Sequence, residues 1–98
     1  MDKILNDIIG VLESSYNEDS TCNLIVKKLK EDKKITQNEK TYLKEKFSYK
    51  KSGIYDAIEE HERYGIKSKA NHAAAEALKK VLQMNEDQLR FIEQLDVE

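Results

Sequence analysis

The sequence predicts a small all-α protein of five to six helices, and two observations indicate this class. Apolar residues recur every three or four positions along most of the chain, and no stretch keeps the alternation of a β-strand. Proline is absent and glycine occurs three times, so long helices meet few residues that break them. Because 98 residues suffice for one modest core, we assign residues 1–98 to a single helical domain.

We expect residues 68–84 to form the central helix of the bundle, with Ser68 as its N-cap. Small and branched apolar residues share one face of this helix, which lets neighbouring helices approach closely. The face consists of Ala70, Ala73, Ala74, Ala77, Leu78, Val81 and Leu82. A sixth helix should begin at Asn85, which forms a capping-box pattern with Gln88, and its apolar stripe is Leu89, Ile92 and Leu95.

The first two helices are predicted from their apolar faces. Helix 1 covers about residues 2–16, and its apolar residues fall within half of the circumference, so it should pack along the central helix. Helix 2 runs from about Thr21 to Lys33, with Ser20 or Thr21 as its N-cap. Its inner face consists of Cys22, Ile25, Val26 and Leu29.

The third helix has the clearest start, because Thr36 and Glu39 have the spacing of a capping box. Its inward candidates are Tyr42, Leu43 and Phe47, whereas Tyr49 is ambiguous. The run SYKKSG (48–53) should end this helix, and a fourth helix follows over about 54–64 with a glycine stop at Gly65. Whether the third and fourth helices are separate or one bent rod stays open.

Charge is distributed unevenly, although the formal net charge is only −2. Residues 1–26 hold five acids and one lysine, residues 27–51 hold ten lysines and four acids, and residues 52–98 hold ten acids and six bases. The basic middle segment is therefore the feature that could attract an anionic partner.

The sequence offers little chemistry for an enzyme, and we expect no catalytic activity, no cofactor and no metal. Glycine-rich phosphate loops, nucleophile elbows and zinc-protease motifs are all missing. On a helix, the four side chains of the run Glu59–Glu62 point in four different directions, so they cannot bind one metal ion together. No acid stands three residues before either histidine, as the di-iron motif of helical bundles requires. Cys22 falls in an apolar stripe and is interpreted as a core residue. His61 lies on an apolar face and is interpreted as a partly buried, hydrogen-bonded side chain, and a pH-sensitive contact or a partner-binding role is the alternative.

Two classes of function remain, and both predict binding. We favour a non-enzymatic protein that binds a protein partner, as a regulator or inhibitor that covers its target. The alternative is a nucleic-acid-binding accessory protein whose lysines contact phosphates, although this segment lacks arginine. A more specific version of the nucleic-acid-binding alternative is a helix-turn-helix motif over residues 76–95. Acidic residues in its second helix, which would have to recognise DNA, count against this version. The partner-binding candidates are Lys40, Lys44, Lys46, Tyr49, Lys50 and Lys51.

Further expectations concern location and assembly. No apolar run approaches the ~18 residues that cross a bilayer, the N-terminus lacks the order of a secretory signal, and Cys22 is the only cysteine. A cytoplasmic protein without membrane contact is the natural interpretation, and its lysine-rich, arginine-poor composition hints at a bacterium or its phage. A homodimer, in which a second copy completes the helical core, is also possible.

Overall fold

A computed structural model describes residues 2–16, 18–64 and 69–98, and this part of the chain contains four α-helices. They are α1 (Lys3–Ser15), α2 (Ser20–Lys30), α3 (Gln37–Tyr64) and α4 (Lys69–Glu93). The all-α class is confirmed, whereas the prediction of five to six helices is wrong. The difference arises because two predicted helix breaks are absent. The predicted stop at Gly65 and the predicted N-cap Ser68 lie outside the described residues.

The first missing break is the run 48–53, which is helical and joins the third and fourth predicted helices into α3. Phe47 and Ile54, on either side of this run, are both buried. Continuing the helix keeps both side chains packed, and this burial outweighs the ~1 kcal/mol that Gly53 costs as a helix residue.

The second missing break is at Asn85, which lies within α4 and does not cap a new helix. Its side chain is 1% exposed, and its Nδ2 donates a hydrogen bond to the carbonyl oxygen of Phe47 at 3.2 Å. Residues 83–85 are helical, so the turn that a helix-turn-helix needs is absent from this described segment. The helix-turn-helix, which the acidic residues already disfavoured, is therefore not formed by this segment.

α3 and α4 form a long antiparallel hairpin that dominates the molecule. Its antiparallel register is seen in ion pairs along one flank of the hairpin, which are Lys44–Glu93 at 2.7 Å, Lys51–Glu86 at 3.8 Å and Glu62–Lys79 at 2.9 Å. The hairpin explains the elongated shape of 51 × 24 × 19 Å, since a 28-residue helix is about 42 Å long.

The seam between α3 and α4 follows the alternating three- and four-residue spacing of a coiled coil. On α4 the buried or half-buried seam residues are Ala75, Leu78, Leu82, Asn85, Leu89 and Ile92. On α3 they are Leu43, Phe47, Lys50, Ile54, Ala57 and His61. The predicted inner face of residues 68–84 is therefore partly wrong, because Ala70, Ala73, Ala77 and Val81 are exposed.

α1 and α2 pack against only one half of the hairpin, and this is where the main core lies. The core cluster consists of Ile8, Ile9, Leu12, Cys22, Ile25, Val26, Leu29, Ile35, Leu43, Phe47 and Ile92. It confirms the inner faces predicted for the first two helices. It also shows that residues 68–84 are not central, because the cluster meets α4 near its C-terminal end. We call the remaining half of the hairpin, residues 50–64 and 69–86, the arm.

The start of α2 differs from the prediction in its capping residue. Asp19, rather than Ser20 or Thr21, is the N-cap, and its Oδ1 accepts hydrogen bonds from the amides of Thr21 at 2.9 Å and Cys22 at 3.3 Å. A carboxylate suits this position because the N-terminus of a helix carries partial positive charge.

The predicted capping box of the third helix is confirmed and extended by a partly buried ion pair. The Thr36 amide donates to Oε1 of Glu39 at 2.8 Å, and the Glu39 amide donates to the Thr36 hydroxyl at 3.1 Å. Nζ of Lys28 donates to the same Oε1 at 2.8 Å, which ties α2 to the start of α3. Burial raises the pKa of the Glu39 carboxyl, but the hydrogen bonds from Lys28 and Thr36 outweigh it, and the pKa is lowered from its usual value.

We therefore expect Glu39→Gln to lower the unfolding free energy at pH 7 by about 1.5–3 kcal/mol. Because the pKa of Glu39 is lower in the folded state, its contribution is complete above the unfolded pKa of ~4.3 and is lost as the pH falls further. When the unfolding free energy is measured by urea unfolding between pH 7 and pH 3, it should depend less on pH in this variant than in the wild type. Glu45→Gln removes the same charge from an exposed site on α3 and is the control. A wild-type pH profile in Glu39→Gln would contradict this role.

Candidate protein-binding groove

A surface groove lies between the end of α1 and the middle of α3. It has a volume of about 350 Å³ and is lined by Tyr16, Glu45, Lys46 and Tyr49, and we call it the tyrosine groove. Lys46 and Tyr49 lie three residues apart and so share one side of α3. Tyr16 reaches them because it directly follows α1, where its amide donates to the carbonyl oxygen of Leu12.

The floor of the groove is a lysine held over two aromatic rings. Nζ of Lys46 lies 5.2 Å from the ring centre of Tyr16 and 5.3 Å from that of Tyr42. Both distances lie within the ~6 Å range of a cation–π interaction. The lysine is therefore positioned in advance and loses little conformational freedom if a ligand contacts it.

A hydrogen bond beneath the groove connects α3 to the start of α2. The hydroxyl of Tyr42 donates to Oδ2 of Asp19 at 2.7 Å. This bond, followed by the amide bonds to the same carboxylate, lowers the pKa of Asp19. Burial and the nearby charge of Asp19 raise the pKa of Tyr42. At neutral pH Tyr42 therefore remains the protonated donor, and Asp19 remains the charged acceptor.

Tyr49 forms the outer edge of the groove and is 81% exposed, whereas Phe47 two residues earlier is 1% exposed. The position that was ambiguous in the sequence is thus a surface aromatic residue. Exposed tyrosines beside a basic side chain are typical of protein-binding surfaces, where tyrosine is enriched among the residues that dominate affinity.

The structure brings together only two of the six predicted partner-binding residues, Lys46 and Tyr49. Lys40 instead donates to the carbonyl oxygens of Glu93 and Leu95 at 2.7 and 3.0 Å, so that it caps the C-terminus of α4. The remaining three lie elsewhere on α3. Lys44 and Lys51 pair with glutamates of α4 across the hairpin, and Lys50 is a half-buried residue of the seam.

The basic character of residues 27–51 is largely neutralised within the molecule. Besides the α3 lysines, Lys28 pairs with Glu39, Lys30 pairs with Glu13 at 3.0 Å, and Lys33 pairs with Glu31 at 2.9 Å. A surface that binds nucleic acid needs lysines free to replace the counterions of phosphates. Most lysines of this segment have carboxylates, carbonyl groups or aromatic rings as neighbours instead.

Two residues of the site were not among the predicted binding residues, namely Tyr16 and Asp19. Tyr16 lies at the end of the first predicted helix, and Asp19 lies between the first and second predicted helices. The usable signal was the spacing of Tyr42, Lys46 and Tyr49, which places a lysine one helical turn from each of two tyrosines. The contribution of Tyr16 depends on how α1 crosses α3, which local spacing does not contain.

The single cysteine is a core residue, as predicted. Cys22 is 0% exposed, and its Sγ donates to the carbonyl oxygen of Leu12 at 3.6 Å. Burial, followed by the negative charges of Asp19 and Glu13, raises the pKa of the thiol. The reactive thiolate is therefore disfavoured at neutral pH.

Metal-binding clusters and membrane-spanning helices are both absent from the described residues. Histidine, cysteine and acidic side chains do not gather there in groups of three or more that could hold a metal ion. None of the described helices combines the length and the apolar character needed to cross a bilayer.

Comparison with known proteins gives no match: no family model, no curated protein and no solved structure is significantly similar to this chain. The geometry and chemistry of the chain itself therefore carry the functional proposal.

Proposed function

We propose that this chain is a non-enzymatic regulator or inhibitor that binds a partner protein at the tyrosine groove and covers part of the partner's surface. The observation that carries the proposal is the exposure of Tyr49, at 81%, beside a lysine already fixed over two rings. The single cysteine supports a cytoplasmic setting, and the lysine-rich, arginine-poor composition supports a bacterium or its phage as the source.

The chemistry of the groove indicates what the partner should contribute. The rings of Tyr16 and Tyr49 form apolar walls, Lys46 supplies positive charge between them, and Glu45 supplies negative charge at the edge. A partner loop or helix that places an apolar side chain between the rings, with a carboxylate against Lys46, would satisfy each of these groups. Because Lys46 and Tyr42 are held in place before binding, little ordering cost remains.

The alternative partner is a nucleic acid, with Tyr49 stacking on a base. The exposed ring of Tyr49 can contact either a protein or a nucleic acid, so the availability of the lysines decides between these two partners. Since seven of the ten lysines in residues 27–51 already contact acids, carbonyl groups or aromatic rings, the electrostatic component of phosphate binding is weak. We therefore favour the protein partner.

We expect Tyr49→Ala to weaken partner binding at least tenfold, because truncation of a central tyrosine costs more than about 1.4 kcal/mol of binding free energy. Tyr55→Ala is the matched control, since Tyr55 is also on α3, is 49% exposed and lies outside the groove. The immobilised wild-type chain and both variants are incubated with nuclease-treated lysate of the source cells. A stoichiometric protein retained by wild type and Tyr55→Ala, but not by Tyr49→Ala, is the expected result.

Two outcomes would contradict the proposal. Equal retention of that protein by Tyr49→Ala would show that the groove does not bind it. Loss of all retention after nuclease treatment would move the function to nucleic acid. Circular dichroism of each variant verifies that the fold is intact.

A further inference from the structure

One face of the α3–α4 hairpin is covered by α1 along only half of its length. Residues 77, 81, 84, 88, 91 and 95 form a single stripe on α4 at helical spacing. Gln88 is 5% exposed, and Phe91 shares a surface depression with Asp2 and Ile4 at the start of α1. Further along the arm, the same stripe continues as Met84 at 50% exposure and Val81 at 41% exposure.

α3 contributes small residues to the same side of the arm. Lys51 and Glu62 pair with α4 on one flank of the seam, so residues 53, 57 and 60 of α3 lie towards the other flank. Gly53 lies in the middle of a 28-residue helix, and a Cβ added there would meet no atom within 4 Å. None of the described residues requires a glycine here, although it costs ~1 kcal/mol of helix stability. It leaves a flat surface that another helix can approach closely.

We call this surface the uncovered face. It consists of Gly53, Ala57, Ala77, Val81 and Met84, and it is flanked on α3 by Lys50 and Glu60. The charges on the opposite flank of the hairpin pair within the chain, as Lys44–Glu93, Lys51–Glu86 and Glu62–Lys79. Lys50 and Glu60, in contrast, form no ion pair with any described residue of their own chain.

We propose that the uncovered face binds a second copy of this chain, with the two arms antiparallel about a two-fold axis near residue 55 of α3. In this arrangement Gly53 packs against Ala57 of the partner subunit, and Lys50 lies beside Glu60 of the partner subunit. The two-fold axis generates each contact twice, as expected of a self-complementary interface. Charge complementarity favours the antiparallel arrangement, because a parallel one places lysine near lysine and glutamate near glutamate.

The position of α1 favours the same arrangement. α1 covers the hairpin face beside Gln88 and Phe91 and leaves the arm uncovered. The surface is therefore raised over the covered half and lower along the arm, with a step between the two halves. An antiparallel copy places the tip of its own arm against this step. A parallel copy would bring the two α1 helices into collision.

A charge exchange tests this proposal directly. At about 100 μM the wild-type chain should scatter light with about twice the chain mass of 11.4 kDa. Lys50→Glu and Glu60→Lys each place like charges together at both symmetric contacts and should weaken self-association at least tenfold. The double variant Lys50→Glu/Glu60→Lys restores opposite charges and should restore the dimer. Lys34→Glu, an exposed change outside the uncovered face, is the control and should remain dimeric.

A wild-type monomer of 11.4 kDa at that concentration would overturn the proposal. So would dimers that persist in both single variants, or a double variant that stays monomeric while its circular dichroism matches wild type. The charge-exchange variants are read by the mass of the chain itself, whereas binding at the groove is read by retention of a different protein. Failure of the groove proposal and failure of the dimer proposal are therefore distinguishable.

Discussion

Phe47→Ala should lower the unfolding free energy by about 4 kcal/mol, the largest loss we expect for a single truncation. Phe47 is 1% exposed and belongs to the core cluster that α1, α2 and the hairpin share. Removing the ring leaves a cavity at the place where these helices meet, so the lost burial is not recovered by local collapse. A small domain has only about 5–15 kcal/mol of stability in total, and the variant should be marginally folded at 37 °C.

Tyr49→Ala is the matched control for this truncation. The two residues are neighbours on the same helix, but Tyr49 is 81% exposed, and its removal should change the unfolding free energy by less than about 0.5 kcal/mol. Urea unfolding followed by circular dichroism measures both values. Losses of similar size in the two variants would contradict the burial described for α3.

Asn85→Asp should lower the unfolding free energy by about 3 kcal/mol or more at pH 7, which is the second large effect we expect. The side chain is 1% exposed, and its Nδ2 donates to the carbonyl oxygen of Phe47. An ionised aspartate would bury a charge and face that carbonyl oxygen with a second acceptor. Because burial raises the pKa of such a carboxyl in the folded state, the loss should be smallest below pH ~4 and should grow as the pH rises. A constant loss from pH 3 to pH 7 would contradict this.

Asn85→Leu is the informative companion, because Oδ1 of Asn85 is buried and accepts no hydrogen bond from the described residues. Leucine removes this unsatisfied group and fills the seam, so the variant should be at least as stable as wild type at pH 7. A buried asparagine in a coiled-coil seam can also fix the register of the helices. A decrease of the unfolding free energy by more than about 2 kcal/mol in Asn85→Leu would contradict this. It would show that the single hydrogen bond of Asn85 stabilises the fold more than an apolar side chain in the seam does.

Local features of this fold were predictable from the sequence, and helix continuity was not. The capping box at Thr36 and Glu39 and the inner faces of the first two helices depend on neighbouring residues, and the structure confirms them. The expected breaks at Gly53 and Asn85 depended on propensities of about 1 kcal/mol, which packing along the hairpin outweighs. Burial between α3 and α4 therefore determines where each helix continues, and the local propensity of either sequence alone does not.

The inner face of α4 was mispredicted because this helix has two apolar faces. One contains Ala70, Ala77 and Val81, and the other contains Leu78 and Leu82 together with the later seam residues. Asn85 interrupts the second face in the sequence, although the structure places it in the seam. The alanine-rich face therefore appeared to be the inner one, whereas it lies on the exposed side of the arm.

The candidate site was predictable only in part, for a related reason. Net charge drew attention to the lysines of α3, but charge along the sequence does not reveal that Lys44 and Lys51 pair with α4. Lys46 and Tyr49 remain at the site because they face α1 instead. The remaining aromatic residue of the groove, Tyr16, directly follows α1, which is distant from α3 in sequence, and no local pattern predicts that these residues meet.

Photocrosslinking from the groove tests the central proposal most directly. A chain with benzoylphenylalanine in place of Tyr49 is irradiated in the source cells, and the same photoreactive residue in place of Tyr55 is the control. We expect one covalent adduct with a single protein from position 49 and little or none from position 55. Equal adducts from both positions, or an adduct from position 49 that nuclease removes, would contradict protein binding at the tyrosine groove.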